Sequence, residues 1–293
     1  MVNIEGCFTA LVTPFQDDFS LDFNTYRRLI EIQVENKIGI VSCGCTGEAA
    51  TLDHKEQLAC IQFAVNCTNN RVPVIAGTGS NSTSEAIWLT RQAQALGADG
   101  ALLITPYYNK PTPAGLIAHY SAVARAVPEF PIIIYNVPTR TGINMMPETG
   151  IEVARRNPNV IAIKECGGIN HATEYVRDGR LTVLSGDDAA ALPLISIGAK
   201  GLISVAANLV PALIGKLVIL ARSGNLVEAR ELNARLAPLI QGLFIETNPM
   251  PVKAALARQG MIKNILRLPL TSALPKTEET ILAALKEIEA FAL

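Results

Sequence analysis

The sequence predicts a (β/α)8 barrel followed by a C-terminal helical annex. Three observations carry that expectation. Eight short runs rich in apolar and β-branched residues recur along the first two thirds of the chain. Each is nearly continuous in its hydrophobicity, as expected of a strand buried on both faces of a parallel sheet. Amphipathic stretches separate them, and units of roughly 25 residues in a chain of 293 residues suit this barrel.

The runs span residues 6–13, 38–43, 72–78, 101–106, 132–137, 160–165, 181–186 and 201–206. The clearest helix is 83–96. Ser82 and Thr83 are candidates for its N-cap, Ala86, Leu89, Ala93 and Leu96 follow helical spacing, and Gly97 supplies the stop. Pro113 and Pro147 each stand where a helix would begin. A doubly wound sheet is the alternative, weakened by eight units and by the lack of a glycine-rich dinucleotide turn after the first run. Beyond Asn208 the pattern is helical only, over 210–222, 226–246, 251–259 and 278–291. The first of these closes the barrel. The division expected is therefore a barrel of residues 1–223 and an annex of 224–293.

Composition narrows the function. Hydrophobic residues make up 49% of the chain, enough apolar surface to offset the entropy of ordering. A formal net charge of -1 and the lack of any long run of one sign argue against nucleic acid. The most apolar long stretch, 209–221, is broken by Lys216 and is too short to span a bilayer. Residues 1–5 carry no basic run ahead of an apolar core, so no secretory signal is expected. The six cysteines (Cys7, Cys43, Cys45, Cys60, Cys67 and Cys166) form no CxxC pair, and reduced thiols in the cytoplasm are expected. His54, His119 and His171 are not at metal-ligand spacing, so no metal is expected.

In such a barrel the chemistry sits at the C-terminal ends of the strands. Those ends are polar throughout. Thr13 follows the first run, Gly44-Cys45-Thr46-Gly47-Glu48 the second, Gly77-Thr78-Gly79 the third and Tyr107-Tyr108-Asn109 the fourth. Tyr135 to Gly142 end the fifth, Lys164-Glu165 the sixth, Gly186-Asp187-Asp188 the seventh and Ser204 to Asn208 the eighth.

Lys164 follows Val160-Ile161-Ala162-Ile163, the most apolar strand setting of any lysine in the chain. Lost hydration disfavours an ammonium ion, and the free amine can then attack a carbonyl to form a Schiff base. The competing reading is a lysine that reaches solvent or pairs with Glu165. Tyr135 could pass a proton to and from a substrate oxygen, or simply pack at the barrel rim. Arg140 has the planar fork that suits a carboxylate, though a solvated loop arginine is the default. The Gly44–Glu48 turn could offer its N–H groups and the Thr46 hydroxyl to an anion, or that hydroxyl could cap the next turn. Asp187 and Asp188 suggest acid–base or metal work, and an N-cap for the helix after the seventh strand accounts for one of them.

Five motifs occur together in the order and spacing of the dihydrodipicolinate synthase family. They are Gly44-Cys45-Thr46-Gly47-Glu48, Thr105-Pro106-Tyr107-Tyr108-Asn109, Tyr135-Asn136-Val137-Pro138-Thr139-Arg140-Thr141-Gly142, Ile163-Lys164-Glu165 and Ser185-Gly186-Asp187-Asp188. The chain resembles that family over nearly its whole length, including Asn248-Pro249-Met250-Pro251-Val252-Lys253. The resemblance implies a barrel lyase that condenses pyruvate with aspartate semialdehyde in diaminopimelate and lysine biosynthesis, without a cofactor. It implies that Lys164 forms the Schiff base with pyruvate and that Tyr135 donates and accepts protons. Thr46 would hold the pyruvate carboxylate, with the main chain of Ile203 nearby, and Arg140 the carboxylate of the second substrate. Tyr108 would complete a proton relay in a neighbouring copy, so a homodimer is the minimum unit and a homotetramer is expected. A lysine effector site is implied at Ala50, His54, Asn81, Glu85 and Tyr107, with Ala49 and Gln57 departing from the pattern.

Cys45 departs as well, since the family has threonine there. A thiol is the weaker hydrogen-bonding group, so a poorer relay is expected. Cys43, two residues away, is too close along the chain to favour a disulfide with it. Two further readings stay open at this point. One is a sister lyase acting on a 2-keto-3-deoxy sugar acid. The other is a catalytically weakened barrel.

Overall fold

A computed structural model of the protein describes residues 4–292; Met1 to Asn3, in the N-terminal stretch read above, lie outside them. Strand and helix alternate: β1 (Gly6–Ala10), α1 (Phe23–Glu35), β2 (Gly39–Ser42), α2 (His54–Thr68), β3 (Val74–Gly77), α3 (Thr83–Ala95), β4 (Gly100–Ile104) and α4 (Pro113–Ala126). Then come β5 (Ile132–Asn136), the single turn α5 (Pro138–Thr141), α6 (Pro147–Arg156), β6 (Val160–Glu165) and α7 (Ile169–Asp178). β7 (Thr182–Ser185), α8 (Ala191–Ser196), β8 (Gly201–Ser204) and α9 (Pro211–Arg222) complete the series. Three more helices follow: α10 (Leu226–Gly242), α11 (Met250–Arg258) and α12 (Pro275–Ala292).

The eight strands form a closed parallel barrel in sequence order. β1 closes it, with Phe8 opposite Gly39 of β2 on one side and Ile203 of β8 on the other. Gly39 leaves room for the Phe8 ring, which a side chain there would strike. Phe8, Val41, Ile75, Leu102, Ile133, Ala162, Leu184 and Ile203 fill the barrel, so the interior is a packed plug. Full burial of such side chains contributes about 1.5–3 kcal/mol each. A larger apolar layer lies between the sheet and the helices. α10 packs on α9 and α12, and α11 on α12.

The local signals act as expected. The Ser82 hydroxyl accepts from the Glu85 N–H and starts α3, and Gly97 (φ 85°) follows its end. Pro113 and Pro147 occupy the first positions of α4 and α6. Three details differ from the sequence reading. The first strand ends at Ala10, and Leu11 to Thr13 leave the sheet as the start of the mouth. The segment after Tyr135, read as a loop, holds the helical turn α5, with Pro138 at its start and Gly142 (φ 71°) at its end. The helix expected over 226–246 stops at Gly242. Among the described residues no helix is long and apolar enough to cross a membrane.

Candidate active site

Strand alternation sets the first half of the site. Tyr135 and Lys164 are paired in register on β5 and β6, and so are their successors Asn136 and Glu165. Successive side chains point to opposite faces. Tyr135 and Lys164 therefore turn into the barrel mouth, while Asn136 and Glu165 turn outward. The Lys164 Nζ lies 4.2 Å from the centre of the Tyr135 ring. Both side chains are buried. Burial pushes the Lys164 amine below the usual lysine range, against smaller opposing effects of the Cys166 and Cys45 thiols. Burial also pushes the Tyr135 phenol well up, and the neighbouring Cys45 and Cys166 thiols add to it. The Cys45 thiol lies beside the Tyr135 phenol, and both line the same cavity. Burial raises the Cys166 thiol to about 12.

Glu165 does not pair with Lys164. Its Oε1 accepts from Asn136 Nδ2 at 2.9 Å and from the Gly167 N–H, and Asn136 also donates to Asn144 at 2.9 Å. This outward network ties β5, β6 and the segment after α5 together behind the reacting groups. Burial raises the Glu165 carboxyl to about 7.

The second half hangs on the Gly44–Glu48 turn. Gly77 at the end of β3 is bare because any side chain there would run into the Cys43 carbonyl. The turn can therefore cross over β3 and bring Cys45 and Thr46 to the mouth. The Thr46 hydroxyl accepts from Asn248 Nδ2 at 2.9 Å. Arg140, on α5, donates through Nη2 to the Asn248 carbonyl at 2.8 Å. Asn248 Oδ1 is buried without a partner among the described residues.

Lys164, Tyr135, Cys45, Thr46 and Arg140 thus line one cavity of about 1160 Å3, together with Cys166, Gly186, Asp187, Val205 and Asn248. Gly186 gives the lysine its space, since a side chain there would meet Cys166 Sγ and the Lys164 methylenes. Ile203 lies beneath the cavity in the apolar plug, and Val205 takes the lining position above it. Tyr108 stands apart, 88% exposed, with a left-handed φ of 72°.

Asp188 corrects the sequence reading. The helix after β7 is capped by Ala190, not by an aspartate. Asp188 is buried and instead accepts from the Ser204 hydroxyl and from the Val205 and Ala206 N–H groups, at 2.8 and 3.4 Å for the latter two. It binds the end of β7 to the turn after β8. Among the described residues the Asp187 carboxylate accepts only from the Ala189 N–H, at 2.9 Å, and it lines the cavity.

A second cavity of about 450 Å3 lies beside the first. Ala50, His54, Glu85 and Tyr107 line it, as do Ala49, Gln57 and Glu48. The His54 Nε2 and Glu85 Oε1 are 2.7 Å apart, and the Ser80 hydroxyl donates to the other Glu85 oxygen. Asn81 does not line this cavity; its carbonyl accepts from Asn109 Nδ2 at 3.0 Å. Gly44, Cys45, Tyr135, Arg140 and Asn248 form a wall common to both cavities.

Asn248 and Lys253 have no role in the sequence reading beyond their motif. One signal was present for Lys253: it is a lysine enclosed by Pro251, Val252, Ala254, Ala255 and Leu256.

Comparison with known proteins finds one family and the same fold. A model of the dihydrodipicolinate synthetase family matches residues 3–288. The chain is 47% identical over 290 residues to a 4-hydroxy-tetrahydrodipicolinate synthase of Maridesulfovibrio salexigens, covering 97% of this chain and 98% of the relative. The crystal structure of dihydrodipicolinate synthase from Aquifex aeolicus superposes with a TM-score of 0.95 at 42% identity, covering 98% of each chain. The synthase of Cyanidioschyzon merolae with lysine bound gives 0.94 at 38% identity, covering 97% of this chain and 98% of that one.

Proposed function

The chain belongs to the dihydrodipicolinate synthetase family, and on that premise we propose how its cavity condenses pyruvate with aspartate semialdehyde. The product is hydroxytetrahydrodipicolinate, for diaminopimelate and lysine synthesis. The observation that carries the reading is the buried Lys164 amine, held against Tyr135 on the floor of the larger cavity.

The Lys164 amine adds to the keto carbon of pyruvate, and water leaves. The resulting iminium ion is the electron sink, so no cofactor is needed. Tyr135 gives a proton to the departing hydroxyl and takes one back from the methyl group, which yields an enamine whose carbon attacks the aldehyde. The aldehyde oxygen takes a proton from Tyr135. The amine of the second substrate then attacks the former keto carbon, closes the ring and releases Lys164. Thr46 holds the pyruvate carboxylate, and Arg140 the carboxylate of the aldehyde. Cys45 stands in the relay beside Tyr135.

The same reading extends to assembly and regulation. Tyr108 is exposed and does not line its own cavity, which supports its completing the relay in a second copy, with a homodimer as the minimum unit and a homotetramer as the full one. Lysine is the effector of the smaller cavity. Glu85 would take its amine, and the relative solved with lysine supports the assignment. Residues 1–223 make the catalytic barrel and 224–293 the annex that braces it. The six unpaired thiols suit a cytoplasmic enzyme.

The test is condensation by the wild-type protein and Cys45→Thr, with borohydride trapping and intact mass on both. A trapped pyruvate adduct with turnover is expected in each, faster with threonine. No adduct in either would overturn the role of Lys164. An adduct without turnover in the wild type, restored by threonine, would favour a weakened barrel. Faster pyruvate release from a sugar acid than condensation would favour the sister lyase, a reading that the named relatives do not favour.

A further inference from the structure

The turn that carries Cys45 and Thr46 ends in an unusual residue. Glu48 has a left-handed backbone (φ 54°), a conformation that side-chain-bearing residues rarely adopt. Its side chain explains its presence. Glu48 Oε1 accepts from Lys253 Nζ at 2.5 Å, and Oε2 accepts from the Arg267 N–H at 3.2 Å. Lys253 Nζ also donates to the Thr13 carbonyl at 3.0 Å and lies 4.4 Å from the Phe15 ring centre. The Arg267 guanidinium lies over the same ring at 4.5 Å. The Thr13 hydroxyl returns to the Gly47 carbonyl at 2.8 Å. The circuit therefore runs from the β1 end to the β2 turn, on to α11, and back to the β1 end.

Neither side chain of the pair exposes any surface. Burial works against the Lys253 ammonium, and the Glu48 charge opposes that effect. Buried pairs are a weak source of net stability, because desolvation offsets most of the attraction. Their geometric demand is strict, since each charge must find its partner in place.

We propose that the buried Glu48–Lys253 ion pair is a positioning device for the condensation step, fixing the turn that presents Cys45 and Thr46. This rests on the reaction assigned above. Lys164 and Tyr135 stand on strands and do not depend on the pair. Imine formation at saturating pyruvate therefore survives its loss. Pyruvate affinity and carbon–carbon bond formation do not, because they need Thr46 and Cys45 at set places.

The experiment uses the full chain with Glu48→Gln and Lys253→Met together, which removes both charges and nearly keeps their volumes. Borohydride trapping, steady-state kinetics at 25 °C and thermal unfolding are measured on it and on wild type. A folded variant that is fully trapped by excess pyruvate is expected, with kcat down about 100-fold, the usual cost of a misplacement near 1 Å, and a raised KM for pyruvate. Turnover and KM within twofold of wild type would overturn the proposal. So would failure of the double variant to fold, which would make the pair a folding element. Absence of adduct in the wild type would overturn the reaction assignment together with this inference. Adduct in both proteins with equal turnover would overturn the inference alone.

Discussion

Tyr135 and Lys164 stand on adjacent strands in register, whereas Cys45 and Thr46 ride on a turn whose ties come from Asn248 and Lys253, some two hundred residues further on. The two walls of one cavity thus have different origins. Ladder hydrogen bonds hold the strand wall, and the pleat alone decides which side chains face inward. The turn wall has no ladder. Its shape depends on two side chains of the annex and on glycines that let backbones touch. In the proposed reaction Lys164, which bonds covalently, and Tyr135, which donates a proton, stand on strands, whereas Thr46, proposed to hold the pyruvate carboxylate, and Cys45 stand on a braced turn.

The strand wall is broken most completely at Lys164. Lys164→Ala removes the group proposed to bond covalently to pyruvate, so turnover should fall by at least about 10⁴-fold, as for other covalent nucleophiles. Borohydride with labelled pyruvate reads the loss directly. Retention of a trapped adduct in that variant would place the imine on another lysine. The fold should be untouched, since a smaller side chain leaves the ladder of β6 intact.

The turn wall should fail differently. Lys253→Met alone leaves the Glu48 carboxylate buried without its cation, at a cost of about 3–5 kcal/mol. Urea unfolding would show it. Removing both charges together should recover much of that stability, so the single and double variants separate folding from positioning.

The two walls also differ in how legible they were. Continuous apolar runs marked all eight strands, and their polar ends marked Lys164, Tyr135, Thr46 and Arg140 as candidates. Tertiary ties left almost no local trace. Asn248 follows Glu246 and Thr247 and looks like any polar loop residue. Asp188 sits where a helix cap is expected, and only the closure of the barrel brings it to Ser204. Periodicity reports which face is buried, but not which distant donor meets which acceptor.

The back of the strand wall offers a pH test. The Glu165 carboxyl is raised to about 7 by burial, so between its unfolded value and pH 7 the folded state holds the extra proton. Stability should therefore fall as pH rises through that window, by up to about 3 kcal/mol, and level off above it. Glu165→Gln keeps an acceptor for Asn136 and the Gly167 N–H and removes the titration. Because buried His119, lowered to about 4, works in the opposite sense over much of the same window, the readout is the difference: from pH 4.5 to 8 the denaturant midpoint of the wild type should fall relative to that of the variant. Equal slopes would mean that Glu165 does not titrate in this range.

The smallest expected effect comes from the tie between the walls. Asn248→Ala removes the donor to the Thr46 hydroxyl but leaves the main-chain carbonyl that Arg140 uses. One hydrogen bond is lost, worth about 1 kcal/mol, so the KM for pyruvate should rise about fivefold. Binding of the aldehyde should change less, because Arg140 keeps its anchor. The unpartnered Asn248 Oδ1 sharpens the comparison, since its removal takes away a buried acceptor that has no donor among the described residues. If the pyruvate KM stays at the wild-type value, the turn alone sets the orientation of Thr46. If the KM for the aldehyde rises as much as that for pyruvate, Asn248 contacts the second substrate itself, and the annex is then part of the binding surface as well as its brace.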